Sequence, residues 1–79
     1  MTDQYWIRLF GIPSQVSQND VIEEMTKLNI APMRVIFAKD HTGNHVGWGW
    51  VRLCTLEEKQ QLIGQQIISV KDYDLMIVE

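Results

Sequence analysis

The stretch Gly47-Trp48-Gly49-Trp50-Val51-Arg52-Leu53 constrains the chain more than any other. It alternates sharply, and alternate residues of a β-strand share a face. Trp48, Trp50 and Arg52 therefore go to one side, and Gly49, Val51 and Leu53 to the other. Val51 and Leu53 join a core. The small glycine between the aromatics is expected to let a helix approach the core side closely. The two indoles are either presented on an open face or buried in some other small β-rich fold, since alternating aromatics are common in half-buried strands.

The flanking segments supply partners for this strand. Tyr5 to Ile12 is rich in β-favouring residues and stops at Pro13, with Ile7 and Leu9 on one side and Trp6, Arg8 and Phe10 on the other. Ser17 is placed to cap a helix, and Asp20 three residues on meets its positive end, a variant of the capping box. Val21, Met25 and Leu28 follow at helical spacing, with Ile22 beside them, and Asn29 and Pro32 end the helix. Arg34 to Ala38 reads as a second strand with Val35 and Phe37 on one face. Residues 40–44 form a polar turn, and Val46 to Leu53 is the third strand. Thr55-Leu56-Glu57-Glu58 reads as a capping box opening a second helix, with Leu62 and Ile63 as its apolar positions and Gly64 at its end. Ile67 to Val70 reads as a short extended piece turning at Lys71-Asp72, before a last strand from Leu75 to Val78.

The order β-α-β-β-α-β predicts an α+β, ferredoxin-like sandwich: a four-stranded antiparallel sheet with both helices on one face. At 79 residues the chain has room for one such domain, spanning residues 1–79, and its apolar fraction of 46% is that of a globular protein. The single cysteine, Cys54, cannot form an internal disulfide and reads as a small buried hydrophobe. With no secretory pattern at the amino terminus and no apolar run of membrane-spanning length, an intracellular setting is expected, the nucleus slightly favoured over the cytoplasm, with no membrane partner.

The third-strand segment and the element order resemble the RNA recognition motif family. That family carries a basic residue, Gly, an aromatic, Gly or Ala, an aromatic, an aliphatic, any residue and an aromatic. Val46, Gly47, Trp48, Gly49, Trp50, Val51, Arg52 and Leu53 occupy those slots here, and Ile7-Arg8-Leu9-Phe10-Gly11-Ile12-Pro13 resembles the family's other signature. Three slots depart from the pattern: Arg8 and Leu53 replace aromatics, and Val46 replaces the basic residue. The first-strand stretch also resembles the quasi-RRM branch, which has a non-aromatic residue at the slot of Arg8 and often reads G-rich RNA with its loops. The resemblance implies binding of single-stranded RNA, either by stacking on Trp48 and Trp50 or through rim residues that include Phe10, Lys39, His41, Asn44, His45 and Lys71.

A net charge of −3 counts against a domain that grips nucleic acid mainly through phosphates. The placement of the charges answers this in part. Arg8, Arg34 and Arg52, the only arginines, fall by parity on the open face, whereas Asp20, Glu23, Glu24, Glu57 and Glu58 lie on the helices. The candidate RNA-binding set is thus Trp6, Arg8, Phe10, Arg34, Lys39, His45, Trp48, Trp50 and Arg52. The bland readings stand beside it: solvated arginines, His41 and His45 as solvated turn residues, and Trp6 and Phe10 covering the sheet edge. No nucleophile with a nearby base, phosphate-cradling loop or metal set stands out, so a binding module without a cofactor is expected rather than an enzyme. Two alternatives use the same scaffold. One is capture of a protein partner through helix one with Lys71-Asp72-Tyr73; the other is self-association through the sheet face.

Overall fold

The computed structural model describes residues 5–79; the amino-terminal residues 1–4, inspected above for a secretory pattern, lie outside them. The elements are β1 (Tyr5–Phe10), α1 (Gln18–Lys27), β2 (Arg34–Lys39), β3 (His45–Leu53), α2 (Leu56–Gln65), β4 (Ile67–Val70) and β5 (Tyr73–Val78). All strand pairs are antiparallel, in the order β2-β3-β1-β5-β4. The sheet thus has five strands rather than four. The piece Ile67–Val70 is a full edge strand, because the turn at Lys71 and Asp72 folds it back on β5 as a hairpin. Both turn residues have positive φ (51° and 69°), the backbone that lets a tight turn follow the twist of its strands.

The core lies between the sheet and the two helices. Ile7 and Leu9 of β1, Val35 and Phe37 of β2, Val51 and Leu53 of β3, and Leu75 and Ile77 of β5 are buried on one side of the sheet. Val21 and Met25 of α1 and Leu62 of α2 meet them. The helix α1 lies against β2 and β4, and α2 against β1, β3 and β5. The period-two parity expected for β1, β2 and β3 is thus the observed one.

The helix ends are specified by side chains. Asp20 N–H donates to Ser17 Oγ at 3.1 Å, and Ser17 N–H donates to Asp20 Oδ2 at 2.9 Å, so aspartate completes the reciprocal capping box. These bonds, the Ser17 backbone donor first, hold the Asp20 carboxyl below its ordinary range, with Lys71 Nζ at 3.2 Å adding to the effect. At the other end Asn29 takes φ 61°, Ile30 N–H reaches the Met25 carbonyl and Asn29 N–H the Thr26 carbonyl. This is the Schellman arrangement, with asparagine where glycine is usual. In α2 only half of the expected box forms. Glu58 N–H donates to Thr55 Oγ1, but the Glu58 carboxylate takes the N–H of Cys54 instead of Thr55. The helix also continues past Gly64 to Gln65 and stops at Gln66 with φ 66°.

Two further expectations are corrected. Cys54 is exposed, its Sγ set 3.5 Å from the Ala31 carbonyl oxygen, because it lies past the end of β3 in the bend that leads to α2. Gly49 makes room for a strand and not for a helix: a Cβ there would collide with the Ile36 carbonyl oxygen and lie 2.9 Å from Phe37 Cα. The close approach is that of β2, which is irregular between Phe37 and Lys39. On the β2 edge, Phe37 N–H donates to Gln18 Oε1 of α1 at 3.0 Å.

Candidate nucleic-acid interface

The helix-free side of the sheet follows from the cross-strand register. One row sets Arg34, Arg52 and Trp6 side by side on β2, β3 and β1. The next sets Ile36, Trp50, Arg8 and Val78 together, and a third sets Trp48, Phe10, Met76 and Ile67 across β3, β1, β5 and β4. Trp6, Phe10, Trp48 and Trp50 are all partly buried: each ring leans on neighbours and keeps part of its surface in water. Trp48 and Trp50 meet edge to face, centroids 4.6 Å apart, and Trp48 lies nearly parallel to Phe10 at 6.0 Å. The Arg8 guanidinium carbon stands 5.9 Å from the Phe10 ring centre, and Arg8 Nη2 donates to the Glu79 carbonyl oxygen at 2.9 Å.

Between the first two rows lies a hollow of about 640 Å³, lined by Trp6, Ile7, Arg8, Ile36, Trp50 and Glu79. Its walls are two indoles and an aliphatic side chain, with one cation and the chain's last carbonyl at the edge. Flat apolar walls with few polar groups suit a ring that also hydrogen-bonds. Arg52 flanks this region with its Nε buried and without a hydrogen-bond partner among the described residues. The acids of α1 and α2 lie behind the sheet, but the front is not free of them. Asp74 shares the open face and accepts from Ser69 Oγ at 2.7 Å, whereas the Glu79 carboxylate is ion-paired at 3.3 Å with Lys59 of α2.

Of the nine candidate residues, the fold brings seven together here: Trp6, Arg8, Phe10, Arg34, Trp48, Trp50 and Arg52. Phe10 and Trp6 lie on β1, the middle strand, and not at a sheet edge. Lys39 and His45 lie elsewhere, opposite each other where β2 and β3 enter their connecting loop. His45 is a strand residue and not a solvated turn residue. Its ring meets Phe37 edge-on at 5.2 Å, its Nδ1 accepts from Gly47 N–H, and its Nε2 is buried with no partner among the described residues. With Ser17, Gln18, Asn19 and Asn44 these two residues line a separate hollow of about 400 Å³. The adjoining loop is held by Asp40, whose carboxylate accepts from the Thr42 hydroxyl and from the N–H groups of Thr42 and Asn44. The hydroxyl bond is the chief reason that its carboxyl sits below the ordinary aspartate range.

Sequence reasoning missed Ile36, Met76, Ile67 and Glu79. Parity from Val35 and from Leu75 places Ile36 and Met76 on the open face. Ile67 needed the hairpin register, and no sequence signal marks Glu79. Among the described residues no cluster of three or more His, Cys, Asp and Glu side chains forms a metal site, and no helix is long and apolar enough to cross a membrane.

A five-stranded antiparallel sheet with two helices behind it and this element order is the RNA-recognition-motif fold. Solved structures bear out that assignment. A domain of the human G-rich RNA sequence binding factor 1 superimposes with a TM-score of 0.81 at 15% identity, covering 99% of this chain and 81% of that one. The third quasi-RRM domain of Glorund gives 0.76 at 21% identity, covering 94% and 90%. The RNA-binding domain of Hrp1, solved in complex with RNA, gives 0.77 at 15% identity, covering 94% of this chain and 44% of that one. At these identities the likeness establishes the fold alone; quasi-RRM domains are among the similar structures. No protein-family model and no curated protein matches the sequence.

Proposed function

We propose that this domain is a single-stranded RNA-binding module, not an enzyme, and that bases stack on the open sheet face at Trp50 and Trp48. The observation that carries this reading is two indoles set side by side on the helix-free face, within a field that includes Phe10 and all three arginines. Unpaired bases offer flat faces to such rings, and arginine both stacks on bases and pairs with phosphates. The RNA-bound Hrp1 domain of the same fold supports it. Lys39 and His45 supply a second, rim contact region for a longer strand.

The test is the affinity for short, unstructured RNAs of Trp48→Ala and Trp50→Ala. Each lost stack costs about 1–3 kcal/mol, or about 5- to 150-fold in Kd. Both variants keep the folded far-UV CD spectrum, since neither ring belongs to the buried core. Wild-type affinity in both variants ends the stacking mechanism.

One observation favours a second reading, self-association. The row Trp48, Phe10, Met76 and Ile67 is apolar across four strands, with Met76 57% and Ile67 47% exposed. Sedimentation velocity over a concentration series tests it, and a monomer at the highest concentration excludes it. The peptide-capture alternative has Tyr73 exposed, but its basic residue Lys71 is engaged by Asp20 of α1.

A further inference from the structure

We infer that Arg34 and Arg52 together form a seat for one backbone phosphate of the bound RNA, next to the nucleotide stacked on Trp50. The inference rests on the RNA-binding reading and adds to it the site of one backbone contact.

The two arginines are direct cross-strand partners on β2 and β3. Like charges placed so repel each other unless something anionic lies between them. Among the described residues nothing does. The three ion pairs among the described residues use Lys27, Lys59 and Lys71, and among those residues neither Arg34 nor Arg52 has a carboxylate partner. Arg8 offers the contrast, since its guanidinium is engaged by the Glu79 carbonyl. Arg52 instead has no acceptor at its Nε among the described residues. Arg34 beside it is exposed and can close on the same ligand.

The chemistry of the missing acceptor follows from the donors. Two planar guanidinium forks present parallel N–H groups, which match a tetrahedral oxyanion with several acceptor oxygens. Position decides that this oxyanion belongs to a nucleic acid. The Arg34–Arg52 row is two residues along β3 from Trp50, about 7 Å, and the hollow floored by Trp6, Ile36 and Trp50 begins there. A base stacked on Trp50 carries its own linking phosphate about that far away. The arginine pair thus places one phosphate at the Arg34 end of the row of bases stacked on Trp50 and Trp48.

The experiment is the salt dependence of affinity for a short RNA of randomised sequence, read by fluorescence anisotropy in increasing KCl. Wild type is compared with Arg34→Gln, Arg52→Gln, the double variant and Trp50→Ala. Loss of one phosphate contact on a single strand lowers the slope of log K against log salt by about 0.7. The double variant is expected to show that loss, and Trp50→Ala to bind more weakly with the wild-type slope. Arg Nε–H resonances provide a second readout, in which RNA is expected to shift that of Arg52. A double variant that keeps the wild-type slope, or an Arg52 signal moved by a poly-glutamate peptide and not by RNA, overturns the phosphate seat while leaving RNA binding intact. Absence of any RNA binding by wild type overturns the RNA reading itself and this inference with it.

Discussion

Replacing Gly49 by alanine is expected to destabilise the domain far more than adding one methyl group ordinarily does. Overpacking costs about 1–3 kcal/mol when side chains can shift to absorb it. At Gly49 the new Cβ meets the Ile36 carbonyl oxygen and Phe37 Cα, main-chain atoms of the neighbouring strand, and the Phe37 ring edge at 3.0 Å. Relief requires β2 to move away from β3, at the cost of ladder hydrogen bonds, so the upper end applies, about 3 kcal/mol. A domain of this length has a total stability of about 4–12 kcal/mol. The melting temperature should therefore fall by about 12–24 °C.

The assay is urea unfolding followed by tryptophan fluorescence and by far-UV CD, with the midpoint falling and the m-value unchanged. Gly64 serves as the control of opposite sign. It lies in α2 with nothing within 4 Å of a built Cβ and no positive φ, so Gly64→Ala should stabilise by about 0.5–1 kcal/mol. A Gly49→Ala protein within about 0.5 kcal/mol of wild type, the ordinary range for surface changes, would refute the claim that strand–strand contact demands glycine there.

Other outcomes follow from the hairpin and the helix cap. Lys71 and Asp72 occupy positive φ without being glycine, so Asp72→Gly should raise stability by about 1 kcal/mol in urea titrations, left-handed backbone costing about that for a side-chain-bearing residue. Asp20 has a folded pKa depressed below the ordinary 3.8. Its contribution is therefore present above that value and is lost as pH falls through the folded pKa. Asp20→Asn should flatten, though not abolish, the fall of stability measured below pH 3.8, because Asp40 is depressed in the same direction. A variant with the wild-type slope across that window would show that the cap carboxylate is not a source of acid sensitivity.

Much of the fold was legible because it depends on period. In β1, β2 and β3 every second residue is apolar, and that parity alone placed Ile7, Leu9, Val35, Phe37, Val51 and Leu53 inside and three arginines outside. The Ser17–Asp20 cap was legible as a variant for the same reason, since one position decides its geometry. What parity could not supply was the register between strands. The pairing of Ile67 with Met76, which makes β4 a fifth strand, depends on a two-residue turn of Lys and Asp that lacks the usual Asn-Gly signal. His45 was misjudged because the irregularity between Phe37 and Lys39 offsets the register where β2 meets β3 at this end, and His45 packs against Phe37. Gly49 was read as helix clearance because the sequence reveals that a position is small, not which neighbour requires it.

The bond from Phe37 N–H to Gln18 has a consequence for how copies of this domain behave when crowded. A sheet ends where its outermost strand still offers hydrogen bonds, and such borders invite further chains. On the β2 side one of those donors is already taken by an amide from the first helix, so growth there must first displace it. The opposite border, Ile67–Val70, is the place where stacking of stray strands should begin, and Gln18→Ala should open the second.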